Sequence, residues 1–340
     1  GQNQLGTAPI GKLLFQMALP SVVAQLINML YNIVDRIYIG HIPEVGALAL
    51  TGVGVCMPII MIVSAFASFV GAGGAPRASI FMGRQDHESA EKSLGNCFTV
   101  QLIISVVLTA VLLIWNRPLL LAFGASVNTI GYATEYMNIY AIGTLFVQIT
   151  LGMNMFIIAQ GFAKTGMLSV LIGAVTNIVL DPVFIFGLDM GVSGAALATI
   201  LSQGVSAVLV LVSLTRAETV YRLDWKQVRF HGRLLGDILR VGVPAGLQSN
   251  MYAISNILIQ TAINGFGTAT VAAWTAHGKV DGFFWMILGA YGISITTFAG
   301  QNFGAQKYDR IRRSVRVCLA LGFGSAVLMS VLYCSLAPYL

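Results

Sequence analysis

Residues 93–116 read SLGNCFTVQLIISVVLTAVLLIWN, 24 residues without one charged side chain, bounded by Lys92 and Arg117. A helix that crosses the hydrocarbon of a bilayer needs about 20 mainly apolar residues, so this stretch reads as one complete span. The rest of the chain has the same character. Of 340 residues only 9% are charged, 56% are hydrophobic, and the mean hydropathy is +0.81. A typical soluble domain carries about 25% charged residues, and a soluble chain could not cover so much apolar side chain with so few polar ones. Fibrous, disordered and disulfide-scaffold classes fail on the same composition. The expected fold class is an all-α polytopic membrane protein. Cys56, Cys97, Cys318 and Cys334 lie in apolar stretches without metal or disulfide spacing.

Working outward from 93–116, breaks between charged residues give the other spans. They fall at 13–34, 45–76, 136–163, 165–188 (apolar except Asp181) and 190–215. A polar stretch, 216–240, separates these six from the remainder. Residues 241–278 are too long for one span and divide at Asn264-Gly265-Phe266-Gly267, a turn signal. The eighth span runs over about 271–299 and the ninth over 317–340. The short loops set the orientation. With a cytoplasmic N-terminus, sixteen of the 19 Lys and Arg residues lie inside. The net charge of +6 is then a topology signal with anionic lipid headgroups as neighbours, and no nucleic-acid partner is implied. No cleavable signal peptide is evident.

Shifting the chain by 224 residues aligns Leu19-Pro20 with Val243-Pro244, Thr51 with Thr275 and Gly54 with Gly278. Shifting it by 221 aligns Gly83 with Gly304, Gln85 with Gln306 and Cys97 with Cys318. Helices one to three therefore repeat as seven to nine. The unit has six helices, an even number, so both copies enter from one side. That is a parallel repeat about the membrane normal, one of the plans of secondary transporters. The expected domains are a first lobe over 1–215, a cytoplasmic inter-lobe loop over 216–240, and a partial second lobe over 241–340. The repeat's logic calls for about three more helices after the ninth.

Ionisable residues inside spans are functional hypotheses by default. Asp35 lies near the outer end of helix one. Asp181 lies in helix five with Asn177 one turn away on the same face. Thr199 follows in helix six. At 1.5 Å rise per residue, Asp181 and Thr199 sit roughly 10–12 Å below the outer surface and Asp35 roughly 8 Å. Pro182 cannot donate to the carbonyl of Ile178, which leaves another oxygen beside them. Such oxygens suit a hard cation or a shared proton. The plainer account of Asp35 is a snorkelling pair with Arg36, and of Asn177 and Thr199 interhelical hydrogen bonding. Tyr31, Met57, Met61, Met153 and Phe156 are candidates for an apolar ligand cavity. His277, Lys279 and Asp281 in helix eight form a candidate second-lobe polar site, or an interfacial group; His277 and Asp281 are four apart and can face each other.

These residues resemble a known family, the multidrug and toxic compound extrusion (MATE) transporters. The resemblance rests on Leu19-Pro20, on 31–40 (YNIVDRIYIG), 177–182 (NIVLDP), 194–199 (GAALAT) and 300–305 (GQNFGA). It implies two six-helix lobes in a V around a central cavity, and export of drugs or small organic cations in antiport with H⁺ or Na⁺. It also implies no enzymatic activity and no cofactor beyond the coupling ion. Carried over residue by residue, the family's first-lobe cation site is Asp35, Asn177, Asp181 and Thr199, with Na⁺ a candidate metal there. The resemblance points to a monomer in a bacterial inner (plasma) membrane. Some members carry a helix-seven carboxylate; residues 248–252 (QSNMY) have none, which disfavours that coupling mode. The alternatives are a flippase of lipid-linked sugars, disfavoured by the absence of Arg and Lys within helices one to six apart from their ends, and an inactive truncated transporter. A membrane-embedded enzyme would need a nucleophile–base or metal constellation, and His277 is the one histidine that could lie deep in a span.

Overall fold

The computed structural model describes residues 9–216, 222–224, 227–229 and 232–339. Within them the chain is a succession of long helices: α1 (Ile10–Gly40), α2 (Gly46–Gly83), α3 (His87–Ala122), α4 (Ile130–Ile142), α5 (Thr144–Ala159), α6 (Ala163–Gly187), α7 (Val192–Thr215), α8 (Gly232–Asn264), α9 (Thr268–Gly304) and α10 (Tyr308–Leu336). Seven of these are individually long and apolar enough to cross a membrane. The pair α4 and α5, bent by 63°, makes an eighth if it is one span. The protein is a multi-pass membrane protein. α8 is 33 residues long but is not among the seven, because Arg233, Asp237, Arg240 and the run Gln248-Ser249-Asn250 make it more polar.

The charge-free runs place the helices well and their ends less well. α2 continues past Pro76 and Arg77 to Gly83, since a proline bends a helix without having to end it when neighbours support the freed groups. α8 begins at Gly232, inside the polar stretch 216–240. The turn at 264–267 is where the sequence puts it. There Gly267 has φ 106°, a left-handed conformation that glycine adopts at no steric cost. The kink of α3 at Trp115 (φ −116°, ψ 17°) lies three residues before Pro118, whose ring crowds the preceding turn. α3 starts on Asp86, which accepts the Ser89 N–H at 3.2 Å as an N-cap.

α1 packs on α6, α6 on α7, and α2 on α3. One apolar core joins Ile39, Cys56, Leu112, Met137, Ile185 and Ala195; a second joins Val70, Leu94, Phe98, Phe156, Leu214 and Ile238. The approach of α6 to α7 needs small residues, as is usual in membrane bundles. A Cβ on Gly194 would lie 2.7 Å from the Phe184 backbone. α8 and α9 lie against α2, and α9 and α10 against α1. Arg77 of α2 pairs with Asp237 of α8 at 2.8 Å.

The internal repeat is written into the backbone. Gln85 and Gln306, offset by 221 residues, have φ 60° and 61°. The turns around them make matching hydrogen bonds: Asp86 N–H to Phe81 O and Lys307 N–H to Asn302 O, both 2.9 Å.

Candidate cation site

α1 and α6 bring Asp35 and Asp181 together. Asp35 is 8% exposed, and Asp181 and Asn177 are each 1% exposed. The carboxyl groups of Asp35 and Asp181 interact directly with each other. Among the described residues, no protein N–H or O–H donor reaches Asp35 Oδ1, either Asp181 oxygen or Asn177 Oδ1. Buried polar atoms normally have partners, so four buried oxygens without donors in one place form a notable set. It is the donor set of a hard cation or of a proton held between two carboxylates. Arg36 is exposed beside Asp35; no ion pair joins the two among the described residues, while the Arg36 charge still acts on the Asp35 carboxyl. Thr199 of α7 donates its hydroxyl proton to Ala195 O at 3.0 Å, and its oxygen keeps lone pairs for a ligand.

Asp35 and Thr199 open onto a cavity of about 360 Å³ whose wall includes Tyr31, Met57, Met61 and Tyr136. Asn177 and Asp181 do not reach that wall. Met153 and Phe156 do not line it either, contrary to the sequence expectation. Both are fully buried in the core with Leu94 and Cys97. The reason is the conformation of α5: a π-turn over Ile149–Met153 adds a residue to the helical turn and shifts the face that every later side chain presents.

Sequence reasoning missed a larger cavity of about 900 Å³ between the two halves. Ser79 and Met155 contribute from one half, and Gln248, Tyr252, Thr296 and Thr297 from the other. Its described wall carries no charge. The polar run 248–252, which has no carboxylate, is the signal the sequence offers for it.

Among the described residues the candidate second-lobe site does not assemble. Asp281 accepts the Trp285 indole N–H at 2.9 Å, and the exposed His277 ring lies 5.7 Å from that of Trp274. Each is thus engaged by an aromatic neighbour on α9 rather than by the other. The Lys279 side chain lies outside the described residues. No group of three or more His, Cys, Asp and Glu clusters among the described residues.

The fold and its buried carboxylates can be set beside known proteins. A family model described as MatE matches residues 20–183 and 244–340. The chain belongs to the MatE family. Its two matched segments begin at Pro20 and Pro244, the prolines that the internal repeat superimposes. MatE proteins are transporters and not enzymes. "Multidrug export protein MepA" of Staphylococcus haemolyticus is 22% identical over 313 residues, covering 91% of this chain and 68% of its own length. A MATE protein solved in a bent conformation superposes with a TM-score of 0.92 at 24% identity, covering 99% of this chain and 75% of the other. The outward-facing conformation of a multidrug resistance MATE family transporter gives 0.88 at 24%, covering 97% and 73%. The MatE fold is therefore common to all three.

Proposed function

We propose that the chain is a secondary antiporter that exports drugs and small organic cations in exchange for H⁺ or Na⁺, held at Asp35, Asn177, Asp181 and Thr199. The observation that carries this reading is the direct approach of the Asp35 and Asp181 carboxyl groups across the α1–α6 contact. Two ionised carboxylates repel strongly where the dielectric is low. A cation between them removes that repulsion and holds α1 on α6. Its departure loosens the contact, and α1 carries Tyr31 and Asp35 in the wall of the adjoining cavity. Coupling then equals the difference in cation affinity between the two arrangements.

The cargo path in this reading is the uncharged cavity between the halves. Tyr252 and Met155 offer a π-face and a polarizable thioether to an organic cation. The S. haemolyticus relative carries a name that speaks of multidrug export. A flippase for pyrophosphate-linked sugars would need fixed positive charge there, and the described wall has none. We further assign residues 1–215 and 241–340 to two lobes joined by 216–240, with a cytoplasmic N-terminus and a monomeric working unit.

The test is drug efflux from proteoliposomes under an imposed H⁺ or Na⁺ gradient, wild type against Asp181→Asn. The variant keeps the shape and loses the charge, so it should fold and bind drug while ion-driven efflux is lost. Undiminished coupling in the folded variant would refute the assignment. Orientation has its own test: a cysteine placed at Gln227 should resist an impermeant thiol reagent added outside intact cells.

A further inference from the structure

We propose that the pocket between the start of α1 and the first turns of α10 binds the phosphate of an anionic lipid headgroup through Arg310, Arg313 and Arg316. The three arginines are spaced by three residues, which puts them on one face of the helix, and all three line an open pocket of about 470 Å³. Among the described residues no carboxylate is on its wall. The one acid in those turns, Asp309, is engaged at 3.7 Å by Arg312, which is not a wall residue. Among the described residues neither Arg313 nor Arg316 makes an ion pair. The Arg313 and Arg316 guanidinium groups repel each other unless an anion joins them, and their forks suit phosphate oxygens in bidentate contact.

The other wall is the beginning of α1. Pro9, Ile10 and Gly11 line it, and among the described residues no side chain caps the helix there. The helix dipole favours negative charge at that end, where the first N–H groups of α1 have no partner within the helix. The two helices truly meet: a Cβ on Gly11 would stand 3.7 Å from Val317 Cγ1. Arg310 is steadied by the Phe298 ring, 5.3 Å from its Cζ to the centroid.

Position decides between a lipid and a soluble phosphate. Both α1 and α10 are apolar enough to cross the membrane, and the pocket lies where both begin. That places it at headgroup level, with Ile10 and Val317 as an apolar floor for the glycerol end of a lipid. α1 belongs to the first half of the repeat and α10 to the second, so the bound phosphate would tie the two halves together at this face.

The experiment uses the full chain. Native mass spectrometry in detergent should show phosphatidylglycerol retained on wild type and on Arg312→Gln, and bound at least tenfold more weakly by Arg313→Gln/Arg316→Gln. Equal retention by all three would overturn the proposal. Should the double variant not fold, a photoactivatable phosphatidylglycerol on wild type decides instead. Labelling should concentrate in 9–13 and 308–317, and labelling spread over the basic loops would overturn the site. Inorganic phosphate at low millimolar concentration should not displace the lipid. Full displacement would overturn the lipid and make a soluble phosphate the occupant.

Discussion

Gly83 and Gly304 cross at a local two-fold axis. A Cβ on Gly83 would collide with the carbonyl oxygen of Gln301 and approach Ala305 N; a Cβ on Gly304 would collide with that of Ile80 and approach Arg84 N. Ile80 and Gln301 are repeat mates, and so are Arg84 and Ala305. A contact in which each residue meets the counterpart of its own neighbour is what a two-fold relation between halves requires. The halves of the chain thus meet as two copies of one surface.

From that symmetry Gly83→Val and Gly304→Val should cost about the same, roughly 1–3 kcal/mol by overpacking. Thermal unfolding in detergent measures it. A large cost for one and none for the other would show that the crossing is not symmetric in solution.

The carboxyl of Asp86 is held below its ordinary range, first by its hydrogen bond with Ser89. A carboxyl lowered on folding stabilises above its unfolded value, and that contribution fades as pH falls through the folded one. Asp86→Ala should therefore lower stability at pH 7 by about 1 kcal/mol, as other N-cap losses do, and the gap to wild type should close towards pH 3. A gap independent of pH would remove the charge from the account.

Met153 and Met61 separate packing from ligand contact. Met153 is fully buried, whereas Met61 is 71% exposed on the cavity wall. Met153→Ala should lose about 2–5 kcal/mol of stability. Met61→Ala should leave the melting temperature nearly unchanged and, because Met61 lines the cavity beside Asp35 and not the cargo path, alter ion coupling before the range of drugs exported. Ion-driven efflux, drug profiles and melting curves of both variants check the contrast.

That contrast also marks how far sequence carries in such a protein. Helix positions, the 264–267 turn, the repeat and the meeting of Asp35 with Asp181 were legible, because charge in an apolar chain is rare and each instance is informative. Faces were not. A span that borders lipid on one side and protein on the other is apolar all round, so periodicity does not say that Phe156 points to the core and Met61 to a cavity. Nor does the lone Gly143 in its apolar run announce the bend there, because an isolated glycine is tolerated inside a helix. His277 and Asp281 show the remaining limit: correct spacing on a helix does not exclude a better local partner, here the tryptophans at 274 and 285.

Arg77 and Asp237 join the two halves at 2.8 Å while both remain about a third exposed. Such pairs contribute about 0–1 kcal/mol. Arg77→Ala should therefore shift the melting temperature only slightly, and the exchange Arg77→Asp with Asp237→Arg should recover what was lost. A loss of several kcal/mol would mean that the pair orders more than itself.

The π-turn of α5 makes that helix a matter of counting as much as of chemistry. Gln148, just before it, donates to Val63 O at 2.7 Å, and Phe156, just after it, fills the core. A π-turn takes up one residue more than an α turn, so removing a single residue from Ile149–Met153 lets that turn relax to α with the flanking faces kept, whereas a deletion elsewhere in α5 rotates everything downstream by about 100° against everything upstream. Natural variation should therefore tolerate single deletions within these five positions and not on either side of them.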